Sequence, residues 1–343
     1  MTLRRPVSMA AAISATALII AASVGLAQSP ATGPVLKVVG AYATPIEEPW
    51  DGVIDSALKA AAAAGTVDYT FQDNIGYGPD MERVLREIAA ESPAAIFGDA
   101  FGNGDQVRAV AADFPGIAFV FGSDGNPADP NLSVFDNWIQ EPAYLAGMLA
   151  GGLTKSNIIG AVGAMPIPEV NRLINAYIAG AKSVNDKVEV KVSFINSFFD
   201  PATAKEAALA QIALGADVLY AERDGVIEAA QEKGVLAIGN MSDQSSLAPE
   251  SVVSSVMWDM KPTVDYVLQQ VAAGAYAAQD LGYFSSYAKG GAMLAPIMAS
   301  VPQELQDKVA AVEAKIKSGE FRVDVNEGTP DGSVQAPAAS PAG

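Results

Sequence analysis

The sequence predicts an α/β fold in which two open parallel sheets form two lobes with a cleft between them. Its main evidence is four apolar runs separated by Ala-rich segments with apolar residues at helical spacing, at residues 158–162, 188–194, 217–220 and 235–239. A second, similar series precedes these runs and begins at Leu36. Strands that alternate with helices build βα units on a parallel sheet, so two tandem series predict two such lobes.

The first series predicts strands that alternate with three helices. The strands are expected at residues 36–40, 67–71, 94–97, 117–121 and 132–135, and the helices at residues 50–64, 80–91 and 106–113. A helix at 141–153 then leads into the second series. Beyond that series we expect a strand at 251–257 and helices at 262–273 and 303–318.

The pattern also suggests domain boundaries. We expect residues 36–139 to form the first lobe and residues 140–274 the second. A Gly/Tyr-rich passage at 274–291 is expected to cross back, which would add roughly residues 275–325 to the first lobe. The last stretch, residues 326–343, is rich in Pro, Ala, Ser and Gly and is expected to be a disordered tail.

The N-terminus has the features of a secretory signal peptide. Arg4 and Arg5 precede an apolar stretch that ends in small residues, so we expect cleavage after Ala27 and a flexible linker at residues 28–35. A retained membrane anchor is the alternative, although the apolar run is short for a spanning helix of about 20 residues. The mature protein is then expected to be exported to the periplasm.

Composition excludes several functions. The chain has 21 basic and 39 acidic side chains, a net charge of −18, which disfavours binding to nucleic acid. It contains no cysteine and no histidine, which rules out disulfides, thiolate zinc sites, cysteine nucleophiles and Ser-His-Asp triads. Without a lipid-accepting cysteine, the exported protein is not expected to be a lipoprotein.

Glycine-rich stretches at 98–104 and 122–125 lack the spacing of dinucleotide or phosphate-binding loops. They are typical of tight turns after strands. We therefore expect neither a nucleotide cofactor nor ATP hydrolysis, and no cofactor or metal of any kind.

Ligands of open parallel sheets bind at the carboxyl ends of the strands. Several carboxylates follow predicted strands in this way: Glu47, Glu48, Asp99, Asp136, Glu222 and Asp224. They could be solvated loop residues, they could capture a ligand hydroxyl or ring N–H, or a pair of them could hydrolyse a glycoside. In an acidic protein, carboxylates often lie near one another by chance, and this favours the first two interpretations over catalysis.

Aromatic residues also cluster near predicted strand ends and helix starts: Tyr42, Trp50, Phe101, Trp138, Phe198, Phe199 and Trp258. Each alone is as consistent with packing between elements as with ligand contact. Together with the nearby carboxylates and amides, they indicate a site for a flat, polar heterocycle, because rings stack on its faces while polar groups bind its edge.

Five segments in a fixed order resemble one family: residues 165–170, 175–180, 197–207, 215–217 and 232–239. The sequence is similar to the BMP/Med family of basic membrane proteins, whose best-known type is the purine nucleoside receptor of bacterial ABC importers. The resemblance extends from about residue 36 to 321, and residues 141–150 resemble the interlobe helix of the family. The resemblance implies a type I periplasmic-binding fold, in which three crossovers join two lobes and the ligand is held in the cleft between them.

The resemblance also implies function and partners. A member would be a binding protein without catalytic activity, monomeric, that delivers its ligand to ABC permease subunits at the inner membrane. The rival interpretations are an exported sensor that presents its closed form to a receptor, and a carboxylate-dependent glycoside or nucleoside hydrolase.

The resemblance places ligand contacts as well. Glu47 corresponds to an acidic residue of the first loop and Trp50 to an aromatic residue that stacks on the base. By position, the resemblance further places cleft contacts at Asp99, Asn137 and Phe198 or Phe199. Because they follow predicted strands, Phe101 and Asp224 are also expected to contact the ligand.

Two positions depart from the pattern of the family. Asn240 stands where relatives commonly have Asp, and Trp258 where they commonly have Lys; those charged residues suit ribose hydroxyls. Both positions are still expected to line the cleft. Loss of the charged pair favours a free purine base as the ligand, with a nucleoside next.

Overall fold

The structure is a computed structural model that describes residues 35–123 and 125–336. The predicted signal peptide and the predicted linker, except Val35, lie outside the described residues. Within the described ranges, no helix is both long enough and apolar enough to cross a membrane.

The first lobe is a five-stranded parallel sheet in the order β2-β1-β3-β4-β5. The strands are β1 (Leu36–Ala41), β2 (Val67–Gln72), β3 (Ala95–Asp99), β4 (Ala118–Gly122) and β5 (Leu132–Phe135). The helices are α1 (Pro49–Ala63), α2 (Pro79–Ala90) and α3 (Gly104–Asp113). The predicted strands and helices of this lobe are therefore confirmed to within about two residues.

Both faces of this sheet are covered. Val38 and Phe97 pack with α1 on one face, while Val39 and Ile96 pack with α2 and α3 on the other. A strand buried on both faces is apolar at successive positions, without alternation. This explains the continuous apolar runs of the sequence.

The second lobe is a seven-stranded sheet in the order β11-β10-β9-β8-β6-β7-β12. Its strands are β6 (Ile158–Gly163), β7 (Glu189–Phe194), β8 (Val218–Ala221), β9 (Leu236–Met241), β10 (Val252–Trp258), β11 (Ala292–Leu294) and β12 (Val334–Gln335). Its helices are α4 (Gln140–Leu153), α5 (Pro168–Val184), α6 (Pro201–Ala213), α7 (Val226–Lys233) and α9 (Gln303–Ser318). Helix α8 (Lys261–Ala272) instead contacts α1 of the first lobe. All pairings are parallel except that of β10 with β11.

Helices α4 and α5 pack at very short distance because glycines lie at their interface. A Cβ atom at Gly147 would lie 2.0 Å from the carbonyl oxygen of Tyr177, and one at Gly180 would lie 1.9 Å from that of Tyr144. Only glycine permits such an approach of two backbones. The contact fixes α5, whose first turns carry two residues of the site described below.

The passage at 274–291 contacts the first lobe. Asp280 forms a β-bridge with Val134 of β5, and Leu281 donates its backbone N–H to the carbonyl oxygen of Val134. The rest of segment 275–325 differs from the prediction, because β11 pairs with β10 and α9 packs on α4 in the second lobe. The open edge of β10 accepts this additional strand.

The described part of the predicted disordered tail also contacts the second lobe. Asn175 donates hydrogen bonds to the carbonyl oxygens of Asn326 and Gly328, and β12 extends the sheet beside β7. Composition predicted disorder here, but backbone pairing at a sheet edge depends little on side chains. Residues 337–343 lie outside the described residues.

Candidate functional site

A cavity of about 560 Å³ lies at the carboxyl ends of the strands, between the two sheets. Its volume is within the range of small-molecule sites, about 300 to 1,000 Å³. Aromatic rings cover much of its wall: Trp50, Tyr77, Phe101, Phe135, Trp138 and Phe198. Its charged residues are Glu48, Asp99, Asp136, Glu169, Arg172, Arg223, Asp280 and Glu327.

A buried ion pair joins the lobes beside this cavity. Arg223, which follows β8, donates from Nη1 to Oε1 of Glu48 at 2.9 Å and from Nη2 to Oε1 of Glu222 at 2.7 Å. Both partners of the interlobe pair are about 3% exposed. The other oxygen of Glu48 accepts the backbone N–H groups of Trp50 and Asp51 and thereby caps α1.

A second guanidinium lies over an aromatic ring of the cavity wall. Arg172 of α5 is 2% exposed, and its Cζ atom lies 4.1 Å from the ring centroid of Trp138. It donates to Oδ2 of Asp136 at 2.7 Å, to Oδ1 of Asn137 at 3.1 Å and to Oε1 of Glu327 at 3.5 Å. Carboxylates thus hold this cation at the edge of the cavity.

Two carboxyl groups of the cavity bind protons more tightly than usual. Burial raises the pKa of Asp99 to about 7, against the hydrogen bond that Oδ1 accepts from the backbone N–H of Phe101. Burial and the charge of Glu222 raise the pKa of Glu169 to about 8. Oε1 of Glu169 accepts a hydrogen bond from Nδ2 of Asn137. Near neutral pH both groups can accept a ligand N–H or change protonation when a ligand binds.

The aromatic residues form two groups. Trp50 stacks on Phe135 with centroids 5.6 Å apart, and Trp258 of the second lobe lies 4.9 Å from Trp50. Phe101 of the first lobe meets Phe198 of the second edge to face, at 4.8 Å. Both groups join rings of the first lobe to rings of the second.

Four residues predicted as ligand contacts line this cavity: Trp50, Asp99, Phe101 and Phe198. Glu47, Phe199 and Asp224 instead line a separate, more open depression. Glu48, the neighbour of Glu47, turns inward because its side chain caps α1. Whether any of these predicted residues contacts a ligand stays a prediction.

The other three predicted residues are buried away from the cavity wall. Asn137 is fully buried and bonds to Glu169 and Arg172. Asn240 lies inside β9, one residue short of its end, where Oδ1 accepts the Tyr220 hydroxyl. Trp258 donates from its indole N–H to the Ser285 hydroxyl. Trp258 also borders the open depression lined by Glu47, Phe199 and Asp224. Ligand contact by these three residues likewise stays a prediction.

The sequence interpretation did not single out Glu169, Arg172, Asp280 or Glu327, although all line the cavity. Glu169 and Arg172 are three residues apart at the start of α5, a spacing that places both on one helix face. That signal was available in the sequence. Glu327 is distant in sequence and reaches the cavity only because the last described segment packs on α5.

Comparison with known proteins identifies relatives of this chain. Residues 46–327 match the Bmp family, described as ABC transporter substrate-binding proteins that are PnrA-like. A purine-binding protein of Brucella abortus is 32% identical over 276 residues, 79% of this chain and 78% of that protein. A putative ABC transporter glucose-binding protein of Haloferax volcanii is 37% identical over 246 residues, 71% of this chain but only 62% of that protein.

Solved structures agree on the fold. A solute-binding protein of an ABC transporter from Conexibacter woesei superposes with a TM-score of 0.69 at 25% identity, covering 85% of this chain and 99% of that one. A solute-binding protein of an ABC transporter from Aeropyrum pernix superposes with a TM-score of 0.71 at 18% identity, covering 85% of this chain and 94% of that one. The predicted type I periplasmic-binding fold is thus confirmed, and so is the family resemblance. The chain belongs to the Bmp family of PnrA-like ABC transporter substrate-binding proteins.

Proposed function

We propose that this protein captures a flat purine-type heterocycle in the interlobe cavity, a free base in preference to a nucleoside, and delivers it to an ABC permease. The observation that carries the proposal is the wall of the cavity, in which Trp50, Trp138 and Phe198 surround space that the carboxyl groups of Asp99 and Glu169 also face. Aromatic faces suit the ring, and carboxyl groups suit its N–H edge.

The ligand ring would contact Trp50 on one side and Phe198 on the other, since the two belong to different lobes and line the same cavity. Asp99, with Phe101 beside it, would bind the polar edge. Closure of the lobes around the ligand would then be stabilised by contacts that only the closed form makes.

The preference for a base is supported by the state of Asn240 and Trp258. Asn240 uses its amide on the Tyr220 hydroxyl and on the carbonyl oxygen of Glu222. Trp258 is 3% exposed, packs on Trp50 and uses its N–H on Ser285. Both side chains are buried and hydrogen-bonded to protein neighbours, which disfavours their use on ribose hydroxyls, and the indole fills space beside the aromatic wall.

Delivery to a permease and residence in the periplasm are supported by the family, whose members are ABC transporter substrate-binding proteins. Binding without turnover is supported on the same ground. Loss of base uptake in a strain that lacks this chain, restored by the chain itself, would test delivery. Continued uptake in that strain would refute it.

Calorimetric titration with adenine, guanine, hypoxanthine, adenosine, guanosine and glucose tests the ligand. The proposal expects at least one free base to bind more tightly than its nucleoside. Tight nucleoside binding without base binding would refute the preference. Glucose binding without any purine binding would refute the heterocycle, and chromatography of the incubated ligands would reveal any hydrolysis.

A further inference from the structure

The cavity has many more carboxyl groups than cations. Six carboxyl groups line it, from Glu48, Asp99, Asp136, Glu169, Asp280 and Glu327, whereas its cations are Arg172 and Arg223. Both guanidinium groups are already bound to carboxylates. Arg223 pairs with Glu48 and with Glu222 behind the wall, and Arg172 pairs with Asp136 and Glu327.

Three carboxyl groups consequently form no salt bridge within the described ranges: Asp99, Glu169 and Asp280. Asp99 accepts from the backbone N–H of Phe101, and Asp280 accepts from that of Gly282. Glu169 accepts from the side chain of Asn137. Each carboxyl group can accept several hydrogen bonds, and an unused acceptor or charge is costly where a bound ligand shields the partly buried Asp99 and Glu169 from water; Asp280 is exposed. Asp99 also accepts a hydrogen bond from the side chain of Ser123. A bound ligand can supply N–H donors to the acceptor positions that remain.

We propose that this excess of carboxyl groups selects heterocycles that carry an exocyclic amino group, whose N–H donates to Asp99, Glu169 or Asp280, over heterocycles that lack it. This inference rests on the proposed function and names the ligand class of the same site. The amino group supplies a hydrogen bond to a carboxyl oxygen, and the adjacent ring nitrogen can share a proton with the second oxygen. A ligand with a bare C–H at that position leaves the oxygen without a partner.

The raised proton affinity of Asp99 and Glu169 agrees with this selection. Burial keeps the pKa of each group well above its ordinary value, at about 7 and about 8. A donor brought by the ligand favours the ionised form of the carboxyl group that accepts it. A negatively charged ligand, in contrast, would be repelled by the ionised form of these groups.

Matched ligand pairs isolate the amino group. Adenine has one exocyclic amino group that purine lacks, and guanine has one that hypoxanthine lacks. A hydrogen bond to a charged group corresponds to a factor of roughly 10 to 100 in affinity. We expect adenine to bind at least about tenfold more tightly than purine at pH 8.

Isosteric variants locate the acceptor. The adenine-to-purine affinity ratio is measured for Asp99→Asn, Glu169→Gln and Asp280→Asn, and at least one variant should reduce it by about threefold or more, because a neutral acceptor binds an N–H more weakly. Asp113→Asn is the matched control, since Asp113 pairs with Arg86 on the surface of the first lobe. A ratio near one in the unaltered protein would overturn the inference, and so would a ratio that none of the three variants changes.

These failures differ from failure of the proposed function. If purine and adenine bind equally, the cavity is still a heterocycle site and only the amino selection is wrong. If no purine binds at all, the proposed function is wrong.

Discussion

Nη1 of Arg223 lies 2.9 Å from Oε1 of Glu48, and this contact joins the second lobe to the first across the ligand cavity. The carboxylate also caps α1, so the same side chain fixes a helix and an interface between lobes. Buried charges are strongly destabilising when one partner is removed. The pair therefore couples closure of the lobes to the local order of α1.

We expect Glu48→Gln to lower the free energy of unfolding by about 2 to 4 kcal/mol, because Arg223 then keeps Glu222 but loses its interlobe partner. The control is Glu91→Gln, which breaks the exposed pair with Lys37 and should lower stability far less, because solvent screens that pair. Urea denaturation measures both. Equal losses of unfolding free energy in the two variants would show that the buried pair stabilises the protein no more than the exposed pair does.

Phe198 and Phe199 are adjacent, yet only Phe198 lines the cavity; Phe199 is 39% exposed. If Phe198 contacts the ligand ring, Phe198→Ala should weaken binding by about 1 to 3 kcal/mol, while Phe199→Ala leaves the dissociation constant unchanged. Calorimetry with the tightest base decides this. The same loss in both variants would contradict the assignment.

Trp50→Ala is expected to have two effects. It should weaken binding by about 1 to 3 kcal/mol if the stack with the ligand exists. It should also lower stability by about 3 to 5 kcal/mol, because Trp50 is 7% exposed and packs on Phe135 and Trp258. Thermal unfolding of the ligand-free protein and calorimetry separate the two effects. An unchanged dissociation constant would mean that Trp50 only packs the lobes together.

The strands could be predicted from the sequence because each is a buried apolar run, and their carboxyl ends then located the site. The inward direction of a loop side chain could not be predicted. Glu47 and Glu48 are adjacent residues of the same type, so the sequence does not show which of them faces the cavity. In the structure it is Glu48, whose side chain turns inward because it caps α1. Asn240 was assigned to a strand end, but β9 continues to Met241 and buries it. Glu327 contacts Arg172 only through packing of a distant segment, which periodicity does not encode.

Asp99 predicts how stability depends on pH. Its folded-state pKa of about 7 lies above the ordinary value of about 3.9, so the folded protein binds this proton more tightly than the unfolded chain does. The stability that this provides is present below about pH 4 and is lost as pH rises towards 7. Between pH 5 and 8, the ligand-free protein should lose roughly 2 to 3 kcal/mol relative to Asp99→Asn.

Urea denaturation of both proteins across this pH range measures the difference, and Asp113→Asn serves as a surface control. Parallel stability curves for the unaltered protein and Asp99→Asn would contradict the raised pKa. Glu169 is present in both proteins, so its own titration cancels in the comparison.

The last described segment should contribute to binding although it follows the final helix. Asn171 donates to the carbonyl oxygen of Glu327, and the Glu327 carboxylate lies at the cavity beside Arg172. A chain that ends at Val325 loses these contacts and those of Asn175, whereas a chain that ends at Ala336 keeps them. We expect the shorter chain to bind its ligand about tenfold more weakly, the loss of one charge-assisted hydrogen bond.

Glu327→Gln separates charge from backbone docking. Because Asn171 and Asn175 bind main-chain oxygens of this segment, the substitution should leave the segment in place and remove only the carboxylate beside Arg172. If the charge of Glu327 holds the guanidinium on Trp138, the variant should weaken binding nearly as much as the chain ending at Val325. Binding like that of the chain ending at Ala336 would assign the effect to backbone docking alone. Equal affinity of the two shortened chains would show that the segment contributes nothing to the site.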